Sequence, residues 1–235
     1  MTADVVWPTA VLPARSGRPQ IVSATVGGGR AMSGLEQAVA SDAGYFAMKM
    51  VVPVSKNAQV KAWNALEAIL GGRSGTALIP ALDCKRAPWP IVGGVALTDF
   101  GDIPFSDDAL EALFDDDAGF SDPVIVAALE SSILAGGLVA TIRMSAGADL
   151  EAGMHFSAKE RLFRIARIVS SSADGDDKLW SVRLALPARE PLAAGTILDF
   201  SCPMFRAVLA SDGEMALDLD LMKFGTATIN WVEDI

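Results

Sequence analysis

The sequence predicts a mainly β protein: a larger β domain with one flanking α-helix, and a small β-barrel inserted into it. Three observations predict this. Short runs of alternating apolar and polar residues recur along the chain, as expected of strands with one wet face. Only one segment, residues 55–72, carries apolar residues at helical spacing. The three late strand-like runs, after residue 203, come too late to make a stable sheet alone and must join strands from the start of the chain.

Taking the elements in order, residues 1–20 read as an extended arm, because Pro8, Pro13 and Pro19 oppose a helix. Residues 20–26 suit a short strand, and Gly27–Arg30 a turn or loop tip. Strands follow at 35–40 and 45–54 around the break Ser41-Asp42-Ala43-Gly44. In the second, Phe46, Met48, Met50 and Val52 share a face. The helix runs from Ser55, a good N-cap, through the stripe Val60, Trp63, Leu66, Ile69 and Leu70, to a glycine stop at Gly71-Gly72. Thr76–Leu82 reads as a buried strand.

Residues 83–122 change character. Residues 106–122, SDDALEALFDDDAGFSD, hold six Asp and one Glu and read as a surface connection. Residues 123–203 read as a separate small β unit of the OB or SH3-like kind. Leu138, Ala140, Ile142 and Met144 face one way, and so do Trp180, Val182, Leu184 and Leu186. Strands are also expected at 161–169 and 194–200, with SSSADGDD as a hairpin loop. The remaining strands are 205–210, 215–222 and 226–232. The expected domains are therefore 1–122 with 204–235, and the insert 123–203.

The composition excludes several function classes. The 235 residues carry a net charge of −10, whereas binding along a nucleic-acid backbone needs a basic surface. Cys84 and Cys202 are too few for a disulfide framework and lack metal-site spacing. The opening segment has no basic n-region followed by an apolar core, so no signal peptide is expected, and no run is long enough for a membrane helix. His155 is the single histidine, and no Ser or Cys near it in sequence suggests a triad. GGGRAMSG and GGRSGT lack the lysine of a phosphate loop. The clusters Asp115–Asp117 and Asp174, Asp176, Asp177 lack the closing Glu of a calcium loop. No catalytic residue, cofactor site or metal site is assigned, and a structural or assembly role is expected.

Several segments carry a resemblance. GGRAMSGLEQAVASDAGYFAMKM, KAWNALEAILGGRSGTALIP and the end PMFRAVLASDGEMALDLDLMKFGTATINWVEDI resemble tail-associated proteins of long-tailed bacteriophages. AGMHFSAKERLFRIARIV and LALPAREPLAAGTILDF look like a small β-barrel module of virion proteins. The layout is similar to the distal tail protein family. That resemblance implies a tail-tube-like β-sandwich with an inserted OB-like barrel, and a non-enzymatic homo-oligomer, a hexameric ring. It also implies that the ring joins the tail tube protein to the baseplate hub protein in the virion tail and lets DNA pass without specific binding or any membrane. Another virion part, such as a tail tube, head–tail connector or tail-tip adaptor, remains an alternative. So do a carbohydrate-binding tail-tip module and a wall hydrolase.

Under that resemblance, Asp218 and Asp220 become candidate channel-facing acids, since an acidic lumen repels passing DNA. The simpler alternative is that they face water on an amphipathic strand. Trp7 and Trp231 are candidate subunit contacts, because aromatic residues favour interface cores. A plain core position is the alternative for Trp231.

Overall fold

The computed structural model describes residues 3–30, 36–82, 86–92, 94–96, 124–220 and 224–235, with backbone alone at 24–30, 36–43, 92 and 95. The fold is mainly β, with 47% strand and one α-helix. In chain order the elements are β1 (Val5–Val6), β2 (Ser16–Gly17), β3 (Gln20–Arg30), β4 (Glu36–Val54), α1 (Asn57–Leu70), a 3-10 turn (Gly72–Ser74), β5 (Ala77–Pro80), β6 (Ile91–Val92), β7 (Val95–Ala96), β8 (Val126–Leu129), β9 (Val139–Ala146), β10 (His155–Ala158), β11 (Arg161–Asp174), β12 (Asp177–Leu184), β13 (Met204–Leu209) and β14 (Gly225–Glu233). The chain divides into two compact units: Met1–Cys84 with His155–Phe163 and Cys202–Ile235, and Lys85–Met154 with Arg164–Ser201. The inserted segment expected at 123–203 thus differs from the second unit at both ends, and its stretch His155–Phe163 is grouped with the first.

The larger sheet has the order β1–β5–β13–β14–β4–β2, with β3 paired to β4. It is mixed, because β1 and β5 run parallel. Two of the three late runs take partners from the start of the chain: β13 pairs with β5, and β14 with β4 from Ala47 to Val54. Alternation selects the buried face. Phe46, Met48, Met50 and Val52 of β4, Phe205, Ala207 and Leu209 of β13, and Ala227, Ile229 and Trp231 of β14 are all buried. Helix α1 adds Trp63, Leu66 and Leu70 to that core. Its stripe is narrower than expected, since Ile69 is 54% exposed. Lys56 rather than Ser55 is the N-cap, because Gln59 Oε1 accepts the N–H groups of both Ser55 (2.8 Å) and Lys56 (3.0 Å). Gly71 closes the helix at φ 54°, a left-handed cap that suits glycine. The Pro-rich arm is docked, with β1 and β2 at the two ends of the sheet order and Trp7 and Leu12 buried.

Three expected breaks differ in form. Gly27–Arg30 is no turn: β3 runs through it, with a register shift between Gly27 and Arg30. Ser41–Gly44 is not a gap between strands either, because Val22 pairs with Tyr45 while Ala24 pairs with Ser41. One residue of β3 therefore opposes three of β4 in a bulge. Strand pairing here outweighs the turn propensity of Gly, Ser and Asp. SSSADGDD is mostly strand: β11 continues to Asp174, and the loop is only Gly175-Asp176, with Gly175 at φ 66°.

The second sheet has the order β10–β11–β12–β9–β8, and one sheet of the fold curls into a half-barrel. Ala140, Ile142 and Met144 of β9 face inward with Trp180, Val182 and Leu184 of β12, as the alternation predicts. Residues 194–200 form no continuous strand: Ile197 bridges Ala128 and Asp199 is a further isolated bridge residue, although Leu198 and Phe200 are buried. β6 and β7 pair as a minimal hairpin. The acidic run 106–122, including Asp115–Asp117, lies outside the described residues, as does Cys84.

Candidate functional site

The stretch around Asp218 and Asp220 is the first candidate. Its expected strand, 215–222, is absent over the described residues. After β13 the chain turns at Ser211–Glu214, where Ser211 Oγ bonds Glu214 Oε1 (3.1 Å). Glu214 Oε2 also accepts the backbone N–H (2.9 Å) and side-chain amide (2.8 Å) of Asn230, which pins this turn to β14. Met215 is buried and its carbonyl accepts the Trp63 indole N–H (2.8 Å). With its backbone held by these contacts, the chain from 216 to 219 adds no strand to the sheet. The alternation persists without the strand: Leu217 and Leu219 are half-buried, and Asp218 and Asp220 are exposed. Asp220 forms an isolated bridge with Phe224. The Asp218 carbonyl lies where a Cβ on residue 225 would sit, so glycine is required there.

Trp7 and Trp231 occupy the core of their own chain, at 2% and 0% exposure. Their rings meet edge to face at 6.0 Å, and Trp7 meets Trp63 the same way at 6.3 Å. The Trp7 indole N–H donates to the Leu12 carbonyl (3.0 Å), which folds the arm back on itself. Side chains spent in this way have no area left for a second subunit, so the core position is the one observed for both.

Other residues singled out in the sequence are also engaged structurally. His155 is buried, with its ring 6.4 Å from that of Phe46. Trp180 and Phe163 are buried, and Cys202 is exposed. GGRSGT is the helix stop and the 3-10 turn, and Asp212 accepts the Arg73 N–H across it (3.0 Å).

One cluster was not expected. Arg143 on β9 reaches Glu130 (2.6 Å), Asp174 (2.8 Å) and Asp177 (2.9 Å). Two of the three Asp in the second cluster considered for calcium, Asp174 and Asp177, are therefore held by a guanidinium. Glu130 and Asp177 are held below their ordinary range, first by the hydrogen bond from Arg143, and Arg143 is raised in turn. The cluster needs the two-residue turn that sets Asp174 opposite Asp177 and the register that pairs Leu179 with Arg143, neither of which a local stretch of sequence specifies. A separate contact, and a buried one, is that of Glu233, whose carboxylate accepts the Phe46 N–H (3.0 Å) at the end of β14.

Among the described residues no group of three or more His, Cys, Asp or Glu is arranged to hold a metal ion, and no helix is long and apolar enough to cross a membrane. No protein-family model matches the chain, and no curated protein matches it.

Proposed function

We propose that this protein is a non-enzymatic structural component of a phage tail, a ring that joins the tail tube to the tip or baseplate. The observation that carries the reading is the strand order β5–β13–β14–β4, in which the end of the chain completes a sheet begun by its start. That is the layout expected of a tail-tube-like domain interrupted by a second module of the OB or SH3-like kind. The reading also draws on the described polar side chains. Arg143 is saturated with carboxylates, His155 is packed on Phe46, and Glu233 caps a strand, so these groups serve the fold. In the ring, tube protein docks on one side and hub protein on the other. DNA passes through a lumen towards which the exposed Asp218 and Asp220 point. The net charge of −10 suits a passage that does not hold DNA.

The test is the mass of the purified protein by light scattering, followed by negative-stain imaging with and without tail-tube protein. A ring of about six subunits, alone or on adding tube protein, is expected. A monomer under both conditions overturns the reading.

A further inference from the structure

We infer that residues 216–220 form a strap poised to close on β14, so that a second conformation of the chain carries one more strand in the larger sheet. The inference is independent of the tail reading.

Register shows where the strap belongs. β13 pairs with β14 at Ala207–Glu233, Val208–Val232 and Leu209–Trp231, and the Ala210 N–H donates to the Asn230 carbonyl (2.8 Å). Residue 210 therefore lies opposite 230. At the far end of the strap, Asp220 and Phe224 exchange both backbone bonds, at 2.8 Å and 3.4 Å. Continued from that pair, antiparallel pairing sets 218 opposite 226, 216 opposite 228 and 215 opposite 229. The residues left between the two registers are Ser211–Glu214, the turn closed by the Ser211 hydroxyl and the Glu214 carboxylate.

The hydrogen-bonding groups agree with this placement. Along an antiparallel strand, alternate residues bond the same neighbour. Phe224 and Asn230 both bond on the side away from β4, so Thr226 and Thr228 face that side as well. Among the described residues neither has a main-chain partner there. Closure makes Asp218–Thr226 and Ala216–Thr228 the bonded pairs. Met215 is out of phase with them, so its carbonyl stays turned from β14, where it accepts the Trp63 indole N–H (2.8 Å). The Glu214 carboxylate already occupies the Asn230 N–H (2.9 Å). Both ends of the strap are thus fixed where closure needs them.

The side chains agree too, because opposite residues share a face of the sheet. Closure sets Leu217 beside Ala227 and Leu219 beside Gly225, on the face where Ala227 and Ile229 are buried. Ala216 and Asp218 fall beside Thr228 and Thr226, which are exposed. The strap already has that pattern, with Leu217 and Leu219 half-buried and Ala216 and Asp218 exposed. Only the backbone is out of place: the Asp218 carbonyl lies over Gly225, one residue short of the Thr226 N–H. Closure gains four main-chain hydrogen bonds. It gives up the one from the Ala216 N–H to the Gly213 carbonyl (3.2 Å) and orders residues 216–219. Each such bond adds little net stability and each ordered residue costs a similar amount, so the two forms lie close in free energy. The closed strap is the chain's own guard of the β14 edge.

The experiment crosslinks the closed register. There Leu217 and Ala227 are a non-hydrogen-bonded pair with Cα atoms about 4.5 Å apart, within reach of a disulfide. Leu217→Cys/Ala227→Cys is made together with Cys84→Ser and Cys202→Ser, and oxidised. The link is expected to form with the thermal transition retained, and to slow amide exchange at Thr226 and Thr228 about tenfold or more relative to the reduced form. A folded chain that does not link, or a link that leaves those amides unchanged, overturns the inference. Amide relaxation dispersion on the wild-type chain reads the same equilibrium without the substitutions. Exchange between two forms is expected at Asp218, Thr226 and Thr228, and none at Val208 and Val232, which are paired in both forms. Flat profiles at all five residues overturn the strap.

Discussion

The two units are fastened in different ways. In the first, an arm residue, a helix residue and a late-strand residue, Trp7, Trp63 and Trp231, meet in one buried aromatic cluster. These residues are far apart in sequence, and their contact forms only when the sheet is assembled from both ends of the chain. In the second, neighbouring hairpins carry their own fastening on the surface, where one arginine on β9 gathers three carboxylates from β11, β12 and the residue after β8. Apolar burial stabilises in proportion to area and is not subject to charge screening. Exposed ion pairs contribute little and are screened. The first unit therefore holds the larger single-residue effects, and the second holds the effects that depend on solution conditions.

The largest expected effect follows from emptying the aromatic cluster. Trp63→Ala and Trp231→Ala should each destabilise the first unit by about 3–5 kcal/mol, read from denaturant melts. The Phe variants sharpen the point. Trp63→Phe also leaves the Met215 carbonyl without its donor, whereas the Trp231 indole N–H has no hydrogen-bond partner among the described residues to lose. Trp63→Phe should therefore cost about 1 kcal/mol more than Trp231→Phe. Equal costs would mean that the Trp63 hydrogen bond contributes nothing.

A smaller loss, about 1–3 kcal/mol, is expected for Gly225→Ala, because the new methyl group meets the Asp218 carbonyl. A neutral result would show that the segment after Met215 shifts freely, and that its path is not fixed by β14.

Legibility divides along the same line. Strands with one wet face announce themselves, and β9, β12, β13 and β14 lie where alternation puts them. The helix is legible for the same reason, apart from Ile69, whose place on the stripe depends on how far the sheet reaches beneath it. Alternation predicts two strands, 35–40 and 45–54, where β4 is continuous, because local turn propensity at Ser41–Gly44 yields to pairing with β3, and pairing is a long-range fact. Alternation predicts a strand at 215–222, which its described residues do not form, because alternation reports which side chains turn inward, not whether the backbone finds a partner. Trp7 and Trp231 show a further limit. A core and an interface both select large aromatic residues, so sequence alone cannot separate them. The Arg143 cluster depends on register across three strands, which no local window contains.

Between these effects stands a gain. The β10–β11 turn, Lys159-Glu160, has both residues at positive φ (47° and 64°), and neither is Gly, Asn or Asp. Glu160 is anchored, since its carboxylate accepts the Ala3 N–H (3.2 Å) and its carbonyl the Arg206 N–H (2.8 Å). Lys159 is exposed, so Lys159→Gly relieves strain without removing a contact of Glu160. A stabilisation of about 1 kcal/mol is expected, and a loss would show that Lys159 makes a compensating interaction.

The smallest effect tests the second unit's dependence on conditions. The carboxyls of Glu130 and Asp177 are lowered below their unfolded values, chiefly by the Arg143 hydrogen bonds. A lowered folded value means a contribution fully present above about pH 4.5, where the unfolded carboxylates are ionised, and lost as pH falls through the folded values. In Arg143→Gln that acid-range loss should become shallower, with a small drop in the melting midpoint near neutral pH. The first unit supplies the control. Asp4 is lowered too, but by the backbone N–H and hydroxyl of Thr76, with no charged partner. Raising salt to about 0.5 M should therefore flatten the acid dependence that comes from Arg143 and leave that of Asp4 nearly unchanged. If both flatten equally, the surface charge as a whole sets the pH response, and the Arg143 cluster has no special part in it.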